Sequence, residues 1–153
     1  MIRSNTLYKL IVIARTARKR IEYLSEVEGG PANLAGYCGV AARYVELLAN
    51  EYGIYPEFVA GSFRAYNRVT DTYRNISGHT WIEHEGHIID ITATQFRNVV
   101  SKIGRDYSQK VYVCKSTNQH YDKELVGDEA KRCVRMWYVE PIDEICEKIC
   151  RMN

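Results

Sequence analysis

The stretch from Gly78 to Thr92 constrains the fold more than any other part of the sequence. Apolar and β-branched residues alternate with polar ones on both sides of Glu85-Gly86, which predicts two antiparallel strands joined by a tight turn. The register that follows pairs His84 with His87, Ile82 with Ile89, Trp81 with Asp90 and His79 with Thr92. The chain must therefore contain at least one hairpin whose two faces differ in chemistry.

One face of this predicted hairpin carries a histidine and an aspartate. Alternate side chains share a face, so His79, Trp81, Glu83, Ile88, Asp90 and Thr92 lie together, opposite Thr80, Ile82, His84, His87, Ile89 and Ile91. His79 and Asp90 are diagonal neighbours, about 7–8 Å apart at the backbone, so their side chains are within reach of each other. The pattern predicts an imidazole that is oriented by a carboxylate.

Apolar residues at steps of three and four predict a first helix over residues 5–25, capped by Ser4 or Asn5. Its other face is basic, and we interpret that face as solvated surface rather than as a docking site for an acidic partner. A second helix is predicted over residues 38–52, ending near Gly53. Cys38 begins it, and the positive end of the helix dipole lowers the pKa of a thiol at that position.

The remaining pattern predicts a strand over residues 57–63 and a polar loop over 64–75. A further strand is expected at 110–114, a short helix at 128–136 and a last helix starting at Pro141. Trp137-Tyr138-Val139 either closes the sheet or docks the tail. The fold class predicted is α+β, with helices on one side of an antiparallel sheet.

Length and composition limit the possible functions. The 153 residues predict a single domain spanning 1–153. A net charge of +2 is far from that of a dedicated nucleic-acid binder. The longest apolar run, Leu10 to Ala14, is too short for a membrane span or a secretory leader, so we expect a soluble, unprocessed chain.

The five cysteines and the lack of cofactor motifs bear on localisation and chemistry. An odd number of cysteines without an export signal predicts reduced thiols in the cytoplasm. Cys146 and Cys150 lie four apart, but no further ligand pair supports a metal site, so we expect no metal. No P-loop, GxGxxG or HExxH motif is present, and no cofactor is expected.

The segments Gly36-Tyr37-Cys38-Gly39-Val40-Ala41-Ala42 and His79-Thr80-Trp81-Ile82-Glu83, leading into Asp90-Ile91-Thr92, together resemble a known superfamily. A helix-capping Cys, a strand His and a next-strand Asp in this order resemble the papain-like fold in its transglutaminase-like branch. The arrangement is also similar to the leader-peptide-cleaving proteases of lasso-peptide biosynthesis. The resemblance covers about residues 31–96, between helical flanks, and the hairpin is shorter than in typical transglutaminases.

This resemblance implies a nucleophilic Cys38, a general base at His79 and an orienting Asp90, acting through a thioester. The Cys38 backbone N–H is one expected oxyanion donor. Asn33 is the candidate for a side-chain donor, Trp81 for a wall of the site, and Gln95 for a further group in reach of it.

Three functions stay open at this point. The first is a cysteine peptidase or amidase acting on a peptide or protein substrate. The second is a transglutaminase or a protein-glutamine deamidase. The third is a binding module that keeps the fold without turnover, using the basic first helix or the 64–75 segment. Oligomeric state is not encoded in these patterns.

Overall fold

The computed structural model describes residues 5–67, 70–97 and 109–152, and it shows an α+β architecture. Four α-helices lie within these ranges: α1 (Asn5–Glu28), α2 (Cys38–Glu51), α3 (Gly127–Arg135) and α4 (Ile142–Arg151). Five strands form one antiparallel sheet: β1 (Glu57–Asn67), β2 (Thr72–His84), β3 (His87–Asp90), β4 (Tyr112–Lys115) and β5 (Tyr121–Val126). A 3₁₀ turn (Ala93–Phe96) follows β3. The strand order is β4-β3-β2-β1-β5.

The two faces of the sheet bury two separate sets of apolar side chains. On one face, Phe58, Ala60, Ile82 and Ile89 pack in a cluster to which all four α-helices contribute. The predicted placement of the helices on one side of the sheet is confirmed. On the other face, a smaller cluster is formed by Val59, Phe63, Ala65, Trp81, Ile88, Ala93, Phe96 and Tyr121.

Both predicted N-terminal helices are confirmed. α1 buries Leu7, Leu10, Ala14, Ala17, Ile21 and Leu24 as its periodicity requires, and it continues three residues beyond the predicted end. Ser4, one of its two predicted caps, lies outside the described residues. α2 begins at Cys38 and ends one residue before the predicted limit, followed by Gly53 at a φ of 74°.

The hairpin register is also confirmed next to the turn, whereas the predicted pairs Trp81–Asp90 and His79–Thr92 are not part of the β2–β3 ladder. β2 and β3 pair Ile82 with Ile89, Glu83 with Ile88 and His84 with His87. Glu85 and Gly86 form the turn with φ values of 50° and 73°. A two-residue turn with both φ values positive matches the right-handed twist of the flanking strands, which explains why this short sequence closes so tightly.

The predicted loop over residues 64–75 is wrong. β1 continues to Asn67 and β2 starts at Thr72, with Arg64 paired to Asn75. The residues there are polar because the first half of β2 is mostly exposed to solvent. Backbone pairing depends on the neighbouring strand and not on side-chain polarity, so polar residues can still form a strand. The Arg64 guanidinium also stacks over the Tyr73 ring at 4.8 Å.

The C-terminal part follows the predicted order with one addition. β4, α3 and α4 lie close to their predicted positions, whereas β5 was not predicted. Trp137-Tyr138-Val139 forms no strand; it connects α3 to α4 and docks against the start of α2. Of the C-terminal cysteines, Cys146 is buried, Cys133 is half-buried and Cys150 is exposed. No helix among the described residues is long and apolar enough to cross a bilayer.

Gly61 in β1 provides a test of this packing. A Cβ there would lie 2.0 Å from the Asp122 carbonyl oxygen of β5 and 3.0 Å from the Trp81 ring. We expect Gly61→Ala to lower the free energy of unfolding by about 3 kcal/mol, because the neighbouring backbone must move. Gly86→Ala, in open space but at positive φ, should cost only about 1 kcal/mol. Urea denaturation measures both, and equal losses would contradict the packing described.

Candidate active site

Cys38 lies at the first position of α2, after a loop with an unusual backbone. Leu34 adopts a φ of 62° although it is not glycine, and it is buried, so the surrounding contacts hold it there. Successive turns follow, with the Tyr37 N–H donating to the Leu34 carbonyl oxygen. Cys38 is 5% exposed, and its thiol lies 3.5 Å from the carbonyl oxygen of Gly78, to which it donates in its protonated form.

Tyr138 holds the turn that carries Cys38. The Gly39 N–H donates to the Tyr138 hydroxyl at 3.0 Å, and that hydroxyl donates to the Gly36 carbonyl oxygen at 2.9 Å. Gly39 must lack a side chain, because a Cβ there would lie 2.6 Å from Val134. With the Gly39 N–H occupied, the Cys38 N–H is left without an acceptor among the described residues. A first-turn N–H of this kind can donate to an oxyanion, and that role of the Cys38 N–H stays a prediction.

His79 lies in β2, almost fully buried, and its two ring nitrogens have different surroundings. Nε2 contacts the Asp90 Oδ2 atom at 2.6 Å. Nδ1 has no hydrogen-bond partner among the described residues, and Cys38 lies close enough to the ring to raise its pKa. Ring centroids of four aromatic residues surround the imidazole: Phe96 at 4.7 Å, Trp81 at 5.6 Å, Tyr121 at 6.1 Å and Phe63 at 6.4 Å.

Asp90 ends β3 and has both carboxylate oxygens engaged. Oδ2 accepts a hydrogen bond from the Tyr121 hydroxyl at 2.8 Å in addition to its contact with His79. Oδ1 accepts from the Thr92 N–H at 2.9 Å and from the Thr92 hydroxyl at 3.3 Å. A buried carboxylate with this many donors remains ionised and keeps a fixed orientation.

The turn after Asp90 is fastened to α1 by a buried arginine. Arg18 donates through Nη1 to the Ile91 carbonyl oxygen at 2.7 Å and to the Thr94 hydroxyl at 2.9 Å. The Thr94 hydroxyl in turn donates to the Asn33 carbonyl oxygen at 3.1 Å. Arg18 therefore links the acid end of the hairpin to the loop that precedes Cys38.

Burial and neighbouring charges shift the pKa values of Cys38, His79 and Asp90 in opposite directions. Burial raises the pKa of the Cys38 thiol, but the hydrogen bond and charge of His79, together with hydrogen bonds from Thr80, outweigh burial and bring that pKa below its ordinary value. Burial lowers the pKa of His79, yet Asp90 and the Cys38 sulfur raise it to about 10. Burial raises the pKa of Asp90, and His79, Thr92 and Tyr121 together bring it below its ordinary value. The arrangement favours a thiolate–imidazolium pair at neutral pH.

The accessory residues predicted from sequence are placed unequally. Trp81 is buried beside His79, and its role as a wall of the site stays a prediction. Gln95 donates to the Thr92 carbonyl oxygen at 3.0 Å, so it braces the turn after Asp90. Asn33 is exposed, and its Oδ1 atom accepts from the Ala35 N–H at 3.0 Å. No hydrogen bond among the described residues joins Asn33 or Gln95 to Cys38, and a role for either as an oxyanion donor stays a prediction.

Several residues at this site were not predicted. Tyr121, Phe96 and Tyr138 meet the site only through long-range contacts, for which the sequence carries no local signal. Arg18 does have a local signal in the sequence. It lies four residues after Ala14 and three before Ile21, which places it on the apolar face of α1.

The site is closed on its inner side. Between α2 and the sheet, the space lined by Cys38, Thr80 and Ile89 is too small for a water molecule. A groove of about 540 Å³ between α1 and α2 has neither His nor Cys among its described lining residues. Gly78, whose carbonyl oxygen lies next to the Cys38 thiol, is in contrast exposed, so the site borders solvent on that side.

The pKa shifts make a prediction about Asp90→Asn. Loss of the carboxylate charge lowers the pKa of His79, and burial then raises the pKa of the Cys38 thiol. We expect alkylation of Cys38 at pH 6 to slow by at least about tenfold, since each unit of thiol pKa changes the thiolate fraction tenfold. Mass spectrometry of the modified peptide measures the rate. Asp143→Asn, which removes only a surface ion pair with Arg43, is the matched control. If the pH dependence of Cys38 alkylation were the same in Asp90→Asn as in the unchanged protein, Asp90 would not influence the pKa of the thiol.

Comparisons of the chain with protein-family models, with curated proteins and with solved structures returned no match.

Proposed function

We propose that this protein is a cysteine hydrolase, a peptidase or amidase, that uses Cys38, His79 and Asp90 through a thioester intermediate. One observation carries the proposal. The histidine has one ring nitrogen bound to a buried carboxylate at 2.6 Å, and the same ring interacts with a thiol at a helix N-terminus whose pKa is lowered. The order of helix-borne Cys, strand His and next-strand Asp on an antiparallel sheet supports a papain-like, transglutaminase-like fold.

Acylation begins with the thiolate of Cys38. It attacks the carbonyl carbon of an amide, and as the C–S bond forms, the carbonyl π electrons move to oxygen, to which the Cys38 N–H donates. Collapse restores the carbonyl and breaks the C–N bond, while the proton on His79 passes to the leaving nitrogen. The amine departs and a thioester remains on Cys38.

Deacylation uses the same groups. Neutral His79 takes a proton from water as the water oxygen adds to the thioester carbon. Collapse of this second intermediate breaks the C–S bond, releases a carboxylic acid and restores the thiolate–imidazolium pair. Asp90 keeps its charge throughout and holds the imidazole in the required orientation.

Acyl transfer to an amine is a second candidate, and one feature favours it. Four aromatic rings surround His79, and the space behind Cys38 excludes water, so the thioester is shielded from hydrolysis on its inner side. A primary amine arriving from the exposed side then competes with water for the acyl group. The same site acting on a glutamine side chain with water as acceptor is a deamidase.

Replacement of the nucleophile and of the base tests the proposal. We expect Cys38→Ala and His79→Ala to abolish amide turnover, because the first removes the atom that forms the thioester and the second removes the proton carrier. Product formation from peptide and glutamine-amide libraries is the readout, with circular dichroism to verify the fold. Cys150→Ala, at an exposed thiol, and His87→Ala, at the hairpin tip, are matched controls that should keep activity. Turnover surviving in both triad variants would exclude the proposal.

Addition of a primary amine separates the two candidates. A transferase yields a stable amine adduct of the substrate, detected as a mass increase, and a hydrolase yields only the acid. Absence of any turnover, together with an ordinary pKa at Cys38, would favour a non-catalytic binding module.

A further inference from the structure

The connection between α3 and α4 presents a run of apolar side chains to solvent. Met136, Trp137 and Val139 are 82%, 41% and 100% exposed. Tyr138, between them, turns inward. Single exposed apolar residues are common on protein surfaces, but three within four positions form a patch, which we name the 136–139 segment.

This segment is fixed relative to the thiol. The Tyr138 hydroxyl bonds to Gly36 and Gly39, on either side of Cys38. The Trp137 N–H donates to the Val134 carbonyl oxygen at 2.9 Å, which holds the backbone at the end of α3. The backbone that carries Trp137 is therefore held next to the turn that carries the nucleophile.

Trp137 lies at the open side of the site. The end of its indole is 3.9 Å from where a Cβ of Gly78 would stand, and the Gly78 carbonyl oxygen is the acceptor of the Cys38 thiol. Gly78 is exposed and has no side chain, so it leaves the indole beside it uncovered. The Cys38 thiol and the Trp137 indole therefore both lie close to Gly78.

The chemistry of the segment selects the kind of group that fits. Arg135 turns its guanidinium to the Tyr138 carbonyl oxygen at 3.1 Å, and Glu140 pairs with Lys148 at 3.5 Å. Neither charge is placed at Gly78, where the neighbouring side chain is the apolar edge of the Trp137 indole. An apolar side chain of a substrate gains from contact with this exposed indole.

We infer that Trp137 is a specificity-determining residue that contacts an apolar side chain of the peptide substrate next to the scissile amide. The inference rests on the proposed function, because it places the acyl group on Cys38. It adds to that function a class of substrate: peptides with an aliphatic or aromatic residue beside the bond that is cleaved.

Two alkylating reagents with the same reactive group test this without knowledge of the substrate. Iodoacetamide is small, and N-benzyliodoacetamide carries an aromatic ring; with each, the Cys38 thiolate displaces iodide and forms one C–S bond. We expect Trp137→Ala to slow the benzyl reagent by about fivefold, a typical value for loss of an aromatic contact, and to leave the iodoacetamide rate within about twofold. Peptide mapping reports the rates at Cys38.

Control variants separate a local contact from a general disturbance. Trp137→Phe should keep most of the preference for the benzyl reagent. Tyr55→Ala removes an exposed aromatic residue beyond the far end of α2 and should change neither rate. An equal loss with both reagents in Trp137→Ala, or an unchanged ratio of the two rates, would overturn the inference.

Measurement at two pH values distinguishes failure of the inference from failure of the proposed function. If iodoacetamide alkylates Cys38 only near the ordinary pKa of a thiol, the proposed function fails. The ratio of the two rates at pH 9 still reports whether Trp137 contacts an apolar group beside the sulfur, since a simple thiolate is then present. If the ratio of the two rates at pH 9 changes in Trp137→Ala, the contact between Trp137 and the apolar group is supported. If the ratio is unchanged, the contact is excluded.

Discussion

The contact between His79 and Asp90 is the interaction around which the structure is arranged. Both groups are almost fully buried, and removal of a carboxylate from water costs several kcal/mol unless donors replace the lost hydration. Tyr121 and Thr92 supply those donors. Because the carboxylate is satisfied and remains charged, it raises the pKa of His79, and the imidazolium in turn lowers the pKa of the thiol. The chemistry of Cys38 thus depends on how well one carboxylate is solvated by the protein.

The groups that support this pair come from distant parts of the chain. Arg18 in α1 holds the turn after β3, Tyr121 comes from β5, and Tyr138 reaches the start of α2 from the connection between α3 and α4. Each side chain closes a contact between two elements that do not adjoin in sequence. The site is therefore a product of the whole sheet and its helical layer, and α1 and the C-terminal segment take part in it as well as the hairpin.

Prediction from sequence succeeded where the spacing of apolar residues along a helix or strand, or a turn residue, decides the structure. The hairpin register followed from Glu85-Gly86 and the alternation around it, and the start of α2 at Cys38 followed from helical periodicity. It failed over residues 64–75, where polar composition predicted a loop although the backbone pairs along β1 and β2. Such pairing depends on a neighbouring strand, and β5 was missed for the same reason.

Local pattern was enough to place a thiol at a helix N-terminus and to bring an imidazole and a carboxylate to one face of a hairpin, since helix and strand periods act over a few residues. The distance between that helix and that hairpin was decided by tertiary packing. So were the Tyr121 and Arg18 contacts and the position of Trp137 beside Gly78. These contacts depend on how the helices and strands pack in three dimensions. They join residues 30 to 100 positions apart, and contacts over such separations produce no periodic pattern in the sequence.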